Sequence, residues 1–151
     1  MEIQAAIGLS QIEDIEIFLQ KRRHIATFVN EAISDTCLKL LGAEMLVPEM
    51  LNSHSWMLLP ILVTGEDSSA RKEAIVTALE DLGIETRPVL TGNFLLQPSM
   101  QRIGKNLPEA ESFVNATQIT NSAFMVGAHH DLTDEQISYL ANNLKLLGAI
   151  A

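Results

Sequence analysis

The chain has little cysteine and little positive charge. Cys37 is its single cysteine, which excludes an internal disulfide and a zinc site built from cysteine pairs. Lys and Arg number 10 against 19 Asp and Glu, so the formal net charge is −9. Nucleic-acid binding depends on clustered cationic side chains that neutralise phosphates. The composition therefore argues against a nucleic-acid partner.

Long apolar runs and a recognisable targeting segment are also missing from the sequence. No apolar stretch approaches the roughly 20 residues that a membrane helix requires. The first residues, MEIQAAIGLS, lack the basic start and cleavage pattern of a secretory signal. We therefore expect a cytoplasmic location and no membrane partner. Hydrophobic residues make up 47% of the 151 residues and charged residues 19%, which excludes a disordered chain and matches one ordinary domain.

The first part of the chain has a helical pattern. Apolar residues recur at helical spacing from Ile3 to Ile33, which predicts one continuous helix of roughly 45 Å. The basic run KRRH, residues 21–24, lies inside this pattern and is interpreted as a solvated helix face. Segment 35–52 contains the breakers Gly42 and Pro48, so we expect a short helical turn followed by a loop.

Three apolar segments of strand length follow, separated by helical patterns. They are SWMLLPILVT, IETRPV and AFMVGA, and Pro60 in the first segment indicates an edge strand or a position turned outward. Helices are expected after Asp67 and from Pro108 to about Asn121. Strands separated by helices predict a small α/β sandwich, in which helices cover one face of a three-stranded sheet.

Local signals mark further helix ends. Thr133 and Gln136 have the spacing of a capping box, so the last helix is expected to begin just after Thr133. Gly83 stands where a left-handed C-terminal cap belongs, and Gly148 is expected to end the last helix.

The stretch TRPVLTGNFLLQP, residues 86–98, is unlike the packing segments around it. Arg87 can bind a phosphate or carboxylate through two hydrogen bonds, and Gly92 permits a positive φ or close approach of a ligand. Asn93 offers both donor and acceptor groups. Two interpretations remain open. The stretch is either a ligand-facing loop or a strand-to-helix turn in which Arg87 pairs with Glu85 or Glu80.

His129 and His130 follow the last predicted strand, where side chains can reach a cleft. A metal site would need further ligands, and Asp131 and Asp134 are the near candidates. We expect no metal, and interpret the pair as structural, as exposed, or as lining a substrate site. The sequence contains no nucleophile motif, so the residues alone predict no complete active site.

Four segments together resemble the DegT/DnrJ/EryC1/StrS family of pyridoxal-phosphate-dependent sugar-nucleotide enzymes. They are MEIQAAIGLSQIEDIEIFLQKRRHIA, GIETRPVLTGNFLLQPSM, LPEAESF and VGAHHDLTDEQI, and they span nearly the whole chain. The resemblance implies the fold type I aminotransferase architecture, in which a long helix leads from a large cofactor-binding domain into a small C-terminal domain. Residues 1–34 would be that linking helix, joined to a missing N-terminal domain, and residues 35–151 the small α/β domain.

The resemblance implies a reaction but places no catalytic or cofactor-binding residue in this chain. In the family, the Schiff-base lysine and a phosphate-binding element precede the position equivalent to Met1. The isolated chain is therefore expected to be inactive and to bind no pyridoxal phosphate. The implied reaction of the complete enzyme is transamination of a 4-keto-6-deoxy sugar nucleotide. The alternatives are 3-dehydration, whose branch of the family the GNF and HH pattern also resembles, and a non-catalytic binding domain.

The resemblance also implies substrate contacts and self-association. The expected substrate-binding residues are Arg87, Gly92, Asn93, His129 and His130. The loop at 86–98 and the turn at 127–131 would form the domain's part of the cleft. Relatives often have a basic residue where this chain has Leu96, which argues against a diphosphate-binding role for the loop. A homodimer or other self-association is expected, because exposed apolar surface tends to mark interfaces.

Overall fold

A computed structural model describes residues 2–47, 49–50, 54–104 and 107–150. Within these residues the helices are α1 (Glu2–Ile12), α2 (Ile15–Ala32), α3 (Ser68–Asp81), α4 (Pro98–Ile103), α5 (Val114–Ser122) and α6 (Asp134–Ile150). The strands are β1 (Leu38–Leu40), β2 (Leu58–Val63), β3 (Thr86–Pro88) and β4 (Ala123–Gly127). Short 3-10 helices cover Ala43–Leu46, Phe94–Leu96 and Ala110–Ser112.

The strands form one antiparallel sheet in the order β1-β2-β4-β3. Alternate residues of β2 are buried, and Leu59 and Ile61 pair with Val126 and Phe124 of β4. These side chains share one core with buried apolar residues of α2, α3 and α6: Ile25, Val29, Ile75, Leu79, Ile137 and Leu144. The predicted small α/β sandwich, with helices packed on a sheet, is confirmed.

The sheet has four strands where the sequence predicts three. β1 lies in the segment that the sequence assigns to a turn and loop, and its three residues are too few for an alternating pattern to indicate a strand. Leu38 and Leu40 are buried, with the exposed Lys39 between them. Pro48, one of the two predicted breakers of this segment, lies outside the described residues.

Pro60 does not place β2 at the edge of the sheet, because β2 lies between β1 and β4. β1 pairs with residues 61–63, so the missing N–H of Pro60 falls where the regular pairing with β1 has ended. The carbonyl oxygen of Pro60 accepts a hydrogen bond from the Leu41 N–H at 2.8 Å. The edge prediction is therefore wrong, and the short neighbouring strand explains how a central strand tolerates proline.

The helix predicted as continuous from Ile3 to Ile33 is interrupted at Glu13 and Asp14. Carboxylates are unfavourable at the end of a helix and favourable at the start of one, so this acidic pair suits a junction between α1 and α2. The two helices also differ in burial. α1 has no buried residue, whereas α2 contributes Ile25, Val29 and other side chains to the core.

The basic run at 21–24 is not a uniformly solvated face. Arg23 is only 9% exposed, and its Nη1 lies 3.3 Å from Glu16 Oε1. Lys21 Nζ lies 2.9 Å from Asp134 Oδ1, which links α2 to the start of α6. The prediction of a solvated face is wrong for Arg23, because an arginine can bury its aliphatic stem while its guanidinium reaches a partner.

Most predicted helix ends are correct. Thr133 N–H donates to Gln136 Oε1 at 2.9 Å and Gln136 N–H donates to Thr133 Oγ1 at 3.3 Å, so the capping box is confirmed. Gly83 has a φ of 76°, and the following Ile84 N–H donates to the Leu79 carbonyl at 2.9 Å, as a left-handed C-terminal cap requires.

Two other helix predictions are wrong. The helix expected from Pro108 begins at Val114, after the 3-10 segment Ala110–Ser112. Gly148 lies inside α6 instead of ending it. A Cβ at this position would lie 2.7 Å from Leu38 Cγ and 2.8 Å from Thr36 Oγ1, so this glycine permits close approach of α6 to the start of β1. No helix of the described residues is both long and apolar enough to cross a membrane.

Gly148→Ala is therefore expected to lower the free energy of unfolding by about 1–3 kcal/mol, because the added methyl group overpacks the contact with Leu38. Urea denaturation followed by the fluorescence of the buried Trp56 measures this change. Gly8→Ala is the matched control. Gly8 is a helical glycine with no atom within 4 Å of an added Cβ, so its substitution is expected to be neutral or stabilising by at most about 1 kcal/mol. Equal effects of the two substitutions would contradict the packing role of Gly148.

Candidate functional site

A cavity of about 670 Å³ lies beside β3, the end of β4 and the start of α6. Its apolar lining comes from Leu58, Ile84, Val126, Leu132 and Leu140. Its polar lining comes from Glu85, Arg87, His129, Glu135, Gln136 and Tyr139. A mainly apolar concavity with a few polar groups is the usual form of a small-molecule site, so this cavity is the candidate functional site.

Arg87 reaches the cavity from β3, where it pairs with Met125 of β4. Its guanidinium forms an ion pair with Glu85, as the turn interpretation of the sequence expected. The side chains of both partners are exposed, by 66% and 69%. Exposed ion pairs contribute little to stability, so an incoming anion can displace Glu85 at small cost.

The position of Arg87 is supported from the end of α3. The Glu80 carboxylate accepts hydrogen bonds from the Thr86 hydroxyl and the Thr86 N–H, each at 2.7 Å. These hydrogen bonds hold the pKa of Glu80 below its usual value, and the bond from the Thr86 hydroxyl has the largest effect. The charge of Arg87 makes a smaller contribution. At neutral pH Glu80 is therefore ionised and fixes the first residue of β3, directly before Arg87.

Gly92 and Asn93 lie elsewhere, packed against α5. Gly92 has a φ of 57°, and a Cβ there would lie 3.2 Å from the Cα of Thr120. Asn93 is only 3% exposed, and its N–H donates to Thr120 Oγ1. The Asn93 side-chain amide donates to the Ala110 carbonyl at 2.8 Å and to Thr117 Oγ1 at 2.9 Å.

The remaining polar atom of this asparagine is also engaged. Asn93 Oδ1 accepts from the Leu95 N–H at 3.1 Å, which caps the 3-10 helix Phe94–Leu96. The Asn93 hydrogen bonds therefore fold the loop onto α5. A direct contact of Gly92 or Asn93 with substrate stays a prediction.

The two histidines lie on a tight turn after β4 but face different surroundings. The side chain of His129 is 61% exposed and lines the cavity, and its Nδ1 accepts from the Asp131 N–H at 3.3 Å. The side chain of His130 is 19% exposed, with its ring 4.0 Å from Phe18 of α2 and 4.3 Å from His129 between ring centroids. His130 thus packs between α2 and the turn.

The structure brings together two of the five predicted site residues, Arg87 and His129, in one cavity. The sequence does not predict Gln136 and Tyr139 as lining residues, although it predicts the capping role of Gln136. The hydroxyl of Tyr139 donates to the Leu82 carbonyl at 3.1 Å. The residues around Tyr139 in the sequence do not indicate this hydrogen bond, because it joins α6 to the end of α3.

Compared with the groups that hold pyridoxal phosphate, the described lining of the cavity fits that cofactor poorly. This described lining includes no lysine for a Schiff base, and Arg87 is the one Lys or Arg side chain in it. The cavity suits a small molecule that has both polar and apolar groups. Arg87 offers a charged donor, His129 a ring nitrogen, and the apolar residues a surface for carbon groups.

Residues 1–145 match the profile of the DegT/DnrJ/EryC1/StrS aminotransferase family. The chain belongs to this family. Among family relatives, it is 27% identical over 95% of its length to dTDP-4-dehydro-2,6-dideoxy-D-glucose 3-dehydratase of Saccharopolyspora spinosa, covering 29% of that protein. It is 28% identical over 96% of its length to GDP-4-keto-6-deoxy-D-mannose 3-dehydratase of Yersinia pseudotuberculosis, covering 35%. It is 23% identical over 95% of its length to dTDP-4-amino-4,6-dideoxy-D-glucose transaminase of Shigella dysenteriae, covering 37%.

Parts of two solved enzyme structures share the fold of this chain. Helicobacter pylori PseC, an aminotransferase involved in the biosynthesis of pseudoaminic acid, superposes with a TM-score of 0.77 at 22% identity, over 97% of this chain and 37% of PseC. E. coli GDP-4-keto-6-deoxy-D-mannose-3-dehydratase, with bound hydrated pyridoxal phosphate, superposes with a TM-score of 0.68 at 24% identity, over 92% of this chain and 34% of that enzyme. The chain thus spans about a third of the length of the relatives it matches.

Asn93→Ala is expected to lower the free energy of unfolding by about 1–3 kcal/mol, because it removes the side-chain hydrogen bonds to the Ala110 carbonyl and Thr117 Oγ1 and deprives the Leu95 N–H of its acceptor in a part-buried site. The same urea denaturation measures the change. Asn142→Ala, at an exposed position of α6, is the control and is expected to leave stability unchanged or slightly raised. A neutral Asn93→Ala would show that the hydrogen bonds of Asn93 do not hold the loop on α5.

Proposed function

We propose that this chain provides substrate-binding residues for the pyridoxal-phosphate-dependent transamination of a 4-keto-6-deoxy sugar nucleotide. The observation that carries the proposal is the single cavity shared by Arg87 and His129, in a chain that belongs to a family of sugar aminotransferases. Pyridoxal phosphate, where family members bind it, supplies the electron sink and the amine carrier. The residues of this chain act on the sugar nucleotide.

Arg87 and His129 have complementary roles in this proposal. The Arg87 guanidinium exchanges its exposed partner Glu85 for a polar oxygen of the substrate. His129 Nδ1 accepts the Asp131 N–H, which leaves the proton of the neutral ring on Nε2 as a donor to a sugar oxygen. Leu58, Val126 and Leu140 offer an apolar surface for a deoxygenated carbon.

The other three predicted residues support this arrangement. Gly92 and Asn93 hold the loop after β3 against α5. His130, packed on Phe18, fixes the turn that carries His129. We therefore propose that these three residues affect substrate binding by positioning the loop and the turn.

A second candidate is 3-dehydration of the same class of substrate. Two relatives named as 3-dehydratases, at 27% and 28% identity, match slightly better than the relative named as a transaminase, at 23%. Both reactions use a keto-sugar nucleotide, so the proposed roles of Arg87 and His129 are the same in each. Formation of an amino sugar with glutamate as donor, against loss of the C3 hydroxyl, distinguishes the two reactions in an active enzyme that contains this chain.

A further proposal concerns α1. Its residues Ile3, Ile7 and Leu9 are 76%, 60% and 67% exposed, and exposed apolar surface of this kind tends to mark an interface. We propose that segment 1–34 connects the small domain of residues 35–151 to a cofactor domain in proteins of the relatives' length. In the 151-residue chain alone, we propose that α1 packs on a second copy, as a non-catalytic interaction domain would.

Arg87→Gln is expected to weaken the binding of dTDP-glucose about tenfold, since a charge-assisted hydrogen bond is lost. The measurement is the dissociation constant from an NMR titration, with shifts expected at Arg87 and His129. Arg102→Gln, at an exposed arginine of α4 outside the cavity, keeps the change in net charge and is expected to have no effect. The proposal fails if both variants bind equally, or if the unmodified chain does not bind the probe.

Ile3→Glu combined with Ile7→Glu is expected to reduce self-association of the 151-residue chain, because the charges would have to be buried at the contact. Sedimentation velocity at increasing protein concentration measures the association. Ile103→Glu changes an isoleucine of α4 that is similarly exposed, at 66%, and is expected to leave association intact. A monomeric unmodified chain would contradict the proposed contact through α1.

A further inference from the structure

The turn after β4 brings three side chains with metal-binding atoms together. His129, His130 and Asp131 each offer one ligand atom, and these atoms lie within 4.8 Å of one another. His129 Nδ1 is 3.6 Å from Asp131 Oδ2, and His130 Nε2 is 3.5 Å from Asp131 Oδ1. We propose that these three residues bind a divalent transition-metal ion of the Zn²⁺ class.

The distances match the size of a tetrahedral metal centre. Zinc binds imidazole nitrogen and carboxylate oxygen at about 2.0–2.2 Å, so two ligand atoms of a tetrahedron are roughly 3.4 Å apart. Both of the nitrogen-to-carboxylate distances in the turn are close to that separation. The two distances run to different oxygens of Asp131, and His129 Nδ1 accepts the Asp131 N–H at 3.3 Å, so metal binding requires the largely exposed His129 ring to rotate and give up that hydrogen bond.

The turn and the ring of His130 are held in place before any metal binds. The Leu132 N–H donates to the His129 carbonyl at 3.2 Å, which closes the turn over the three residues. Phe18 fixes the ring of His130 from α2. His130 Nδ1 is buried without a hydrogen-bond partner among the described residues, so Nε2 is the nitrogen that can take a ligand. Preorganised ligands lose less conformational entropy on binding.

The choice of metal follows from the ligand atoms. Two imidazole nitrogens with one carboxylate suit Zn²⁺, Ni²⁺ or Cu²⁺, whereas Mg²⁺ and Ca²⁺ prefer oxygen ligands. Three protein ligands leave a fourth position open to solvent. The positive end of α6 opposes a cation, and Asp134 and Glu135 in its first turn offset that effect.

The charge state of those two residues supports this balance. The hydrogen bond from Lys21 and its charge hold the pKa of Asp134 below the usual value. The Glu135 carboxylate accepts hydrogen bonds from its own backbone N–H and from the Thr133 hydroxyl, which hold the pKa of Glu135 below its usual value. Both carboxylates are therefore ionised at neutral pH, although the Lys21 ion pair neutralises part of the charge of Asp134.

The sequence gives little indication of this site. Adjacent histidines with one following aspartate do not have a known ligand spacing, and the sequence analysis expected no metal. The turn makes the difference, because it folds three consecutive side chains toward a common point.

Calorimetric titration of the 151-residue chain with Zn²⁺ tests the site. We expect one ion bound per chain and no binding of Mg²⁺ under the same conditions. His129→Ala and Asp131→Asn are each expected to weaken Zn²⁺ binding by at least about tenfold. Both positions are exposed, and urea denaturation verifies that each variant remains folded.

His54→Ala provides the matched control, since it removes an exposed histidine that lies outside the turn. It is expected to leave the Zn²⁺ affinity unchanged. The proposal is overturned if the unmodified chain binds no Zn²⁺, or if His129→Ala and Asp131→Asn bind it as tightly as His54→Ala does. Equal affinity for Mg²⁺ and Zn²⁺ would also overturn it, because imidazole ligands discriminate between these ions.

Discussion

The pairing of β2 with β4 is the constraint on which the rest of the domain depends. It joins residues 58–62 to residues 123–127, two parts of the chain far apart in sequence. Leu59, Ile61, Phe124 and Val126 place their side chains in the core from this pair of strands, which stabilises it by removing apolar surface from water. Both predicted site residues that line the cavity depend on β4 for their position. β3 pairs with β4 and carries Arg87, and the strand runs directly into the turn of His129.

The features that the sequence predicts well are those determined by neighbouring residues. The capping box of Thr133 and Gln136 and the left-handed Gly83 need only a few residues of local chain to form. β2 and β4 are also evident, since each is a continuous apolar run. The sequence does not predict β1, because three residues are too few to show an alternating pattern. The strand forms by pairing with the edge of β2, which is distant in sequence. Gly148 was misread because its role is contact with Leu38, more than a hundred residues earlier in the chain.

The site residues show the same division between local signal and tertiary use. A Gly-Asn pair in a loop has the properties that a ligand site needs, a permissive backbone and several hydrogen-bonding groups. The same properties serve a loop that must approach a helix closely and satisfy its own buried polar groups. Gly92 and Asn93 are used in this second way, against Thr117 and Thr120 of α5. The sequence contains no information that separates these uses, because the deciding partner is a helix more than twenty residues later.

α1 and the turn that carries His129 and His130 are connected through the first turns of α2. Phe18 stacks on His130, and Lys21 pairs with Asp134 at the start of α6. Only Glu13 and Asp14 separate α2, which makes these contacts, from α1. The eleven residues of α1 contain no buried side chain. An isolated helix of that length is marginally stable in water, so α1 depends on whatever covers it. A partner that packs on α1 would therefore order the segment leading into α2. Phe18 and Lys21 connect α2 to His130 and Asp134, on either side of the turn that carries the cavity residue His129 and the proposed metal ligands.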